Sequence, residues 1–221
     1  MFWDRFLAVV VARGRETQCE PNCRGAISRG DERAVGHLPV CDQRAGREVI
    51  VIGLDPGYEV SAIVVWDTTA KTIIQHGEYA NGVLLDKLRG HNGADGSAVL
   101  VIEQIESFGM AVGKTTFETV YMSGRFAEAW FPKRVERLPR KVIKLQLCGQ
   151  VRAKDGEIRQ AIVDRFGPTK EKAVGTRKLP GPLYGVSKHE WSALAVALTW
   201  ADQNQDAPTG DIVRPGVAAD F

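Results

Sequence analysis

Two carboxylates lie at the ends of apolar runs, where they are well placed to do chemistry. Asp55 ends the run VIVIGLD, which breaks at a Pro-Gly turn signal, and Glu103 ends the run VLVIE. An acid at the end of a buried strand is costly unless a charged group meets it, and carboxylate oxygens suit hard divalent cations. Asp55 alone would equally suit a simple turn cap. Together the two strand ends predict a shared metal site at one edge of a sheet.

The hydrophobic pattern predicts the elements that must position these acids. Short links between the first three strands indicate an antiparallel meander, and the later alternation of strand and helix indicates parallel additions. The predicted strands are 49–55, 60–67, 71–79, 98–103 and 141–148. The predicted helices are 83–89, 113–130, 155–166 and 188–202.

Charge is unevenly distributed along the 221 residues. Residues 132–178 contain 14 basic and 5 acidic residues, whereas residues 49–131 contain 5 basic and 10 acidic ones. A concentrated basic segment beside a metal site is typical of a protein that binds a polyanion, so nucleic acid is favoured over a merely solvated face. No apolar run approaches the roughly 20 residues that a membrane helix needs, which predicts no membrane partner.

The chain divides into three parts by composition. Residues 1–48 lack sustained periodicity and predict a poorly ordered N-terminal extension. Residues 49–205 contain the core-forming elements and predict one folded domain, and residues 206–221 predict a flexible polar tail.

Four cysteines are present, and three of them lie in the first 48 residues. Cys19, Cys23 and Cys41 could in principle form a zinc site with His37, although their spacing is not a familiar one. Cys148 lies in an apolar run and is expected to be a buried small hydrophobe. Nothing else indicates an oxidising compartment, so a cytoplasmic location is expected.

Five segments occur in an order that is specific when taken together. They are IGLDPG (52–57), VIEQIESFGMAVGK (101–114), GRFAEAW (124–130), KVIKLQLCGQVRAKDGEIRQAIVDRFG (141–167) and HEWSALAVAL (189–198). With them, about seven-tenths of the chain resembles the RuvC-like Holliday-junction resolvases, especially those carried by phages and prophages. The resemblance implies an α/β, RNase H-like fold with a central mixed five-stranded sheet flanked by helices.

The resemblance also implies roles for individual residues. In that family a carboxylate closes the first strand, here Asp55, and a Glu follows the fourth strand, here Glu103. The last helix presents an acid or His and then an acid three residues on, which correspond here to His189 and Ser192. Lys144 falls where the family places a basic residue near the scissile phosphate. The implied catalytic residues are therefore Asp55, Glu103, His189 and Lys144.

Ser192 departs from the family pattern, because a hydroxyl is a poor substitute for a metal-binding carboxylate. Either a second metal is held weakly or another acid contributes. Glu190 is adjacent to His189 but lies about 100° round the helix from it. Glu106 follows Glu103 by three residues. The predicted ligands of Mg²⁺, with Mn²⁺ as an alternative, are Asp55, Glu103, His189, Glu106 and Glu190.

Several basic residues and one aromatic residue are predicted to contact DNA. Phe108 could stack on an unpaired base at a junction crossover, or it could pack in the core. In relatives the helix after the Glu forms the dimer contact, so residues 113–130 are the expected homodimer interface. The predicted DNA contacts are Phe108, Lys114, Arg137, Arg140, Lys141, Arg152 and Lys154.

These features predict a Mg²⁺-dependent endonuclease that resolves Holliday junctions or branched DNA by paired nicks in recombination. One alternative is a junction-binding protein that has lost catalysis, with Ser192 as the lesion. Another is a kinase-like phosphotransferase of the actin-like superfamily, whose phosphate-binding strand also reads G-x-D-x-G. Such enzymes need two related domains, and the sequence contains no second set of matching strand signals.

Overall fold

A computed structural model describes residues 49–90, 98–107, 109 and 111–204. The predicted extension, tail and zinc site, and Phe108, lie outside the described residues. The strands are β1 Ile50–Asp55, β2 Val60–Asp67, β3 Thr72–Ala80, β4 Ala98–Gln104 and β5 Val135–Pro139. The helices are α1 Asn81–Gly90, α2 Lys114–Trp130, α3 Arg140–Cys148, α4 Asp155–Phe166, α5 Lys170–Ala173 and α6 Glu190–Gln203.

The strands form one five-stranded sheet in the order β3-β2-β1-β4-β5. Strands β1, β2 and β3 pair antiparallel, whereas β4 runs parallel to β1 and β5 runs parallel to β4. The predicted mixed sheet, with its meander and later parallel additions, is confirmed. Because β1, β4 and β5 run in the same direction, their carboxyl ends lie along one edge of the sheet.

The fifth strand is not where the sequence pattern placed it. Residues 141–148, predicted as a strand, belong to helix α3, and the strand is the preceding segment β5. Ile143 is fully buried while Leu145 is 55% exposed. Two residues that far apart would share a face in a strand, so this burial pattern fits a helix instead. Pro139 ends the strand, since it has no backbone N–H to continue the ladder.

Alternate residues of β1 and β4 pack on opposite faces of the sheet. Ile50, Ile52 and Leu54 face the core formed with α1 and α2. Val51 faces the second core, which is formed with α3, α4 and α6. In β4, Val99 and Val101 belong to this second core. Continued alternation directs Asp55 and Glu103 to the side of the sheet that carries α6.

Gly53 lets α6 rest directly on β1. A Cβ atom at this position would lie 2.2 Å from the carbonyl oxygen of Ala193 and 2.9 Å from Ala197. Only glycine fits such a close approach of two backbones. This contact brings the start of α6 beside the carboxyl end of β1. None of the helices in the described part of the chain is long and apolar enough to span a membrane.

Candidate active site

The register of the parallel strands brings the two predicted acids together. Leu54 of β1 pairs with Ile102 of β4, so the residues that follow them, Asp55 and Glu103, are the next neighbours along the ladder. Both side chains are partly buried, with 18% and 12% exposure. The sheet therefore places two carboxylates next to each other at the edge of the α6 side.

His189 lies beside the first of these acids, immediately before α6. Its Nδ1 is 3.4 Å from Oδ2 of Asp55, and the imidazole is 74% exposed. Its backbone N–H donates to Oε1 of Glu78 at 3.1 Å. An open cleft of about 460 Å³ adjoins these residues and is also lined by Tyr58 and Lys188. The histidine thus faces both the carboxylate and solvent.

Arg140, a predicted DNA contact, lies at the next strand end. Gln104 pairs with Pro139, and Arg140 follows directly as the first residue of α3. Its Nη1 donates to both carboxylate oxygens of Glu103, at 3.0 and 2.9 Å. Its Nη2 donates to Oδ1 of Asp155 at 2.6 Å. Pro139 was the sequence signal that could have placed a strand end just before Arg140. It was not used, because the fifth strand was predicted at 141–148.

Ser192 shares this arginine with Glu103. Its hydroxyl is 3.4 Å from Nη1 of Arg140, on the first turn of α6. The residue that departs from the family pattern therefore lies in the same cluster as the strand-end residues. Asp155, the first residue of α4, closes the cluster from the other side of the guanidinium. In the sequence this aspartate is recognisable only as the first residue of the predicted helix 155–166.

Burial disfavours the ionised form of both acids unless a strong positive charge lies nearby. Burial raises the pKa of Glu103 from its ordinary 4.5 to about 7, and although Arg140 opposes this shift, Asp55 adds to it. Burial also raises the pKa of Asp55, against the opposing influence of His189 and Arg140. Two neighbouring carboxyls with raised pKa values form a site that favours a bound cation.

These residues can be tested for their fit to a divalent cation. Among the described residues, no three His, Cys, Asp or Glu side chains are grouped so as to hold a metal ion. However, Mg²⁺ is usually held by one or two carboxylates, with waters and substrate phosphate oxygens completing its octahedron. Asp55 and Glu103 supply two such carboxylates. The donor set therefore fits Mg²⁺ or Mn²⁺ as a two-carboxylate site that a phosphate would complete.

The carboxylate of Glu190, a predicted metal ligand, contacts groups outside the strand-end cluster. Its buried carboxylate accepts a hydrogen bond from the backbone N–H of Ser187 at 2.7 Å. It also lies 3.1 Å from Nδ1 of His76. These contacts join Glu190 to the turn before α6 and to β3. The alternative in which Glu190 replaces the acid missing at position 192 is therefore not supported.

Glu106 is paired to a basic residue that was itself predicted to bind DNA. Its Oε1 lies 3.0 Å from Nζ of Lys141, and the lysine side chain is 54% exposed. This ion pair neutralises both groups at the rim of the site. Neither the metal role predicted for Glu106 nor the DNA role predicted for Lys141 gains support from this geometry.

The remaining predicted basic residues lie around the cluster or farther away. Lys144 is half-buried on α3, one turn after Arg140. Arg137 is exposed on β5, and Arg152 and Lys154 are exposed just before α4. Lys114 is the exposed first residue of α2. The geometry leaves each of these side chains accessible to a phosphate backbone, at least in part.

The mixed sheet with helices on both faces is an RNase H-like fold of the RuvC type. A Thermus thermophilus RuvC structure is similar, with a TM-score of 0.52 and 15% identity over 72% of this chain and 98% of that one. A structure of T. thermophilus RuvC in complex with a Holliday junction substrate has a TM-score of 0.49 and 17% identity, covering 68% and 92%. No family model and no curated protein matches the chain. The predicted fold class is thus confirmed.

Proposed function

We propose that this protein is a divalent-metal-dependent endodeoxyribonuclease that cuts four-way or branched DNA by paired nicks. The observation that carries the proposal is the pairing of Asp55 and Glu103 at adjacent carboxyl ends of β1 and β4, with His189 beside them. In an RNase H-like fold this arrangement supports metal-dependent phosphodiester hydrolysis. The junction as substrate, and a kinship with phage-borne enzymes, remain predictions from the sequence motifs.

In the proposed reaction a water oxygen attacks phosphorus and the bond from phosphorus to O3′ breaks. The products are a 5′-phosphate and a 3′-hydroxyl, with the proton of water released to solvent and the leaving oxygen protonated in turn. A divalent cation, when bound, activates the water and stabilises charge on the reacting phosphate. Asp55 and Glu103 would hold that cation, and His189 would orient the Asp55 carboxylate from 3.4 Å.

The basic segment supports DNA as the substrate. Residues 132–178 carry 14 basic and 5 acidic residues and include β5, α3 and α4. Arg137, Arg152 and Lys154 are exposed on this segment. Each phosphate contact that they make would contribute sequence-independent affinity that weakens with salt.

The exposed face of α2 supports a homodimer. Phe117, Val120 and Tyr121 are 64%, 50% and 63% exposed, although they are large and apolar or aromatic. Gly124 continues the same face, and a Cβ there would meet no atom within 4 Å. A small residue on an apolar stripe permits close approach of another helix. We propose a second copy of this chain as the occupant, because a two-fold dimer matches the symmetry of a four-way junction.

The test is cleavage of a synthetic four-way junction, with linear duplex as the comparison. We expect Mg²⁺-dependent, paired cuts in the junction by the wild-type protein and none in EDTA. Asp55→Asn should lower the rate at least ~100-fold while changing junction affinity by less than about threefold, because it removes a metal ligand. Asp86→Asn is the matched control, since Asp86 is an 84% exposed acid on α1, far along the chain from the strand ends.

Two outcomes would redirect the proposal. Cleavage by Asp55→Asn at the wild-type rate would show that the site is wrong. If the wild-type protein binds the junction but does not cleave it, the alternative of a junction-binding protein that has lost catalysis is favoured, with Ser192 as the lesion. The phosphotransferase alternative gains no support, since the described residues form a single sheet-based unit.

A further inference from the structure

We propose that Arg140 is a catalytic residue that contacts the reacting phosphate and takes the place of a second metal ion. The site would then use one divalent cation and one guanidinium as its two positive groups. This inference rests on the proposed function and specifies the composition of the same site. It is carried by the position, hydrogen bonds and charge of Arg140.

The backbone fixes the position of Arg140. Strands β1, β4 and β5 are neighbours, and their carboxyl ends carry Asp55, Glu103 and then Arg140. The arginine side chain is 22% exposed, so it is held in the site yet reachable from solvent. It is thus presented by the same sheet edge that presents the two acids.

The guanidinium has a donor to spare for a phosphate. Its hydrogen bonds reach both oxygens of Glu103, the hydroxyl of Ser192 and Oδ1 of Asp155. A guanidinium has five N–H groups. Among the described residues these four bonds therefore leave at least one N–H for a phosphate oxygen, for which the planar fork is well suited.

With one divalent cation and a bound phosphodiester, the charges of Asp55, Glu103 and Arg140 sum to zero. Asp55 and Glu103 bring two negative charges when ionised, and Arg140 brings one positive charge. One divalent cation then gives a net charge of +1, which suits a singly charged phosphodiester. A second divalent cation would give +3. The two acids predicted as further ligands are at least partly engaged, since one oxygen of Glu106 is bonded to Lys141 and Glu190 accepts from the Ser187 N–H. Asp155, whose side chain is 82% exposed, is bonded to the other amino nitrogen of Arg140. If its charge is counted as well, the protein groups sum to zero with one divalent cation and to +2 with two.

Ser192 is neutral, so it does not form an ion pair with Arg140. Its hydroxyl lies 3.4 Å from Nη1 of Arg140, so an aspartate at this position would pair with the guanidinium. Such a pair would occupy the donors that a phosphate needs. A serine at 192 and an arginine at 140 therefore belong to one arrangement, in which the guanidinium stays available. It follows that Ser192→Asp should assist a second metal only when Arg140 is also replaced.

The first test counts metal ions and needs no DNA. Free Mn²⁺ is measured by electron paramagnetic resonance while the metal is titrated into the full-length protein at millimolar concentrations. We expect one Mn²⁺ per protomer for the wild type, for Arg140→Met and for Ser192→Asp. We expect two for the double variant Arg140→Met/Ser192→Asp, since it adds a carboxylate and removes the competing cation. Two or no Mn²⁺ per wild-type protomer would overturn the proposal.

The second test separates cleavage from binding in single turnovers on the synthetic four-way junction. Arg140→Met should slow cleavage about 100-fold, the typical effect of losing one charged donor to a transition state, with affinity changed less than about threefold. Arg140→Lys should recover part of that rate, because it keeps the charge without the fork. Arg89→Met on α1 is the matched control: its side chain is 50% exposed and has no role in the site. It should cleave like the wild type.

Thermal unfolding of each variant shows whether a lost rate reflects a lost fold. Wild-type rates for Arg140→Met, or an effect on affinity alone, would overturn the catalytic role. Failure of the proposed function is distinguishable: if the wild-type protein cuts no DNA, the nuclease proposal is wrong, while the Mn²⁺ count still decides between one metal and two. If it cuts DNA and binds two Mn²⁺, only the role of Arg140 is overturned.

Discussion

Replacing Glu103 by Gln should stabilise the metal-free protein at alkaline pH. Burial raises the pKa of this carboxyl from 4.5 to about 7, so the folded state disfavours the ionised form. When the pKa of a carboxyl is higher in the folded state than in the unfolded state, it does not affect protein stability at a pH below both values. As the pH rises from the unfolded-state pKa to the folded-state pKa, the free energy of unfolding decreases. Glutamine keeps the shape and can still accept from Arg140, but it never ionises.

The magnitude follows from the size of the shift. Raising the pKa from 4.5 to about 7 is worth about 3 kcal/mol, since one pKa unit corresponds to roughly 1.4 kcal/mol. Between pH 5 and pH 8, linkage predicts that the variant gains about 2 to 3 kcal/mol relative to the wild type. Most of the gain should appear between pH 5 and pH 7.

The assay is urea unfolding of both proteins in EDTA at pH 5 and pH 8. Mg²⁺ provides a second arm, because a cation that binds the native wild type stabilises it by mass action and should not stabilise Glu103→Gln to the same extent. An increasing Mg²⁺ concentration should therefore reduce the difference in unfolding free energy between Glu103→Gln and the wild type at pH 8. If the variant is less stable by the same amount at both pH values, the ion pair with Arg140 outweighs burial and this reasoning is refuted.

Three further predictions concern the interface, the packing and the basic segment. Tyr121→Glu should convert the proposed dimer to a monomer by light scattering, with the free energy of unfolding changed by less than about 0.5 kcal/mol, because this residue is 63% exposed. Gly53→Ala should cost roughly 3 kcal/mol of unfolding free energy and slow cleavage, since it forces α6 away from β1, whereas Gly82→Ala should cost nothing. Lys144→Ala should slow cleavage, whereas Arg137→Ala should weaken binding and lower the log–log salt slope by about 0.9.

Clear results would contradict each of these. A wild-type protein that is monomeric at the concentration used for cleavage would show that the α2 interface is wrong. Equal free energies of unfolding for Gly53→Ala and Gly82→Ala would contradict the packing argument. A Cβ at Gly53 would lie 2.2 Å from the carbonyl oxygen of Ala193, whereas a Cβ at Gly82 would meet no atom within 4 Å. Equal loss of binding in Lys144→Ala and Arg137→Ala, with no separate loss of rate, would remove any catalytic role for Lys144.

The strand-end acids could be predicted from sequence because their signal is local. Each apolar run is long enough to specify a buried strand. A carboxylate at the end of such a strand is costly to bury unless a charged group or a hydrogen-bond donor meets it. The alternation of side chains then brings Asp55 and Glu103 to one face without further information. The Gly53 contact with α6 could not be predicted in this way, although it decides where His189 lies.

The position of Arg140 beside Glu103 was missed because it depends on pairing between distant segments. Leu145 and Leu147 alternate with polar residues and gave residues 141–148 a strand-like pattern, which tertiary packing overrode. The true strand, β5, has only five residues. Its register against β4 sets Arg140 beside Glu103, and no local pattern encodes that register. The contact of Glu190 with His76 on β3 likewise depends on pairing between distant segments.

The contact at Gly53 gives the two edges of the site unequal freedom to evolve. The spacing between Asp55 and His189 is set by one backbone resting on another, so no single substitution can adjust it without moving a helix. The opposite edge is built from the long side chains of Glu103 and Arg140, together with the small hydroxyl of Ser192. Point mutations can exchange charge there while the main chain stays in place. A lineage with this fold could therefore change how many cations it uses without relocating its first acid.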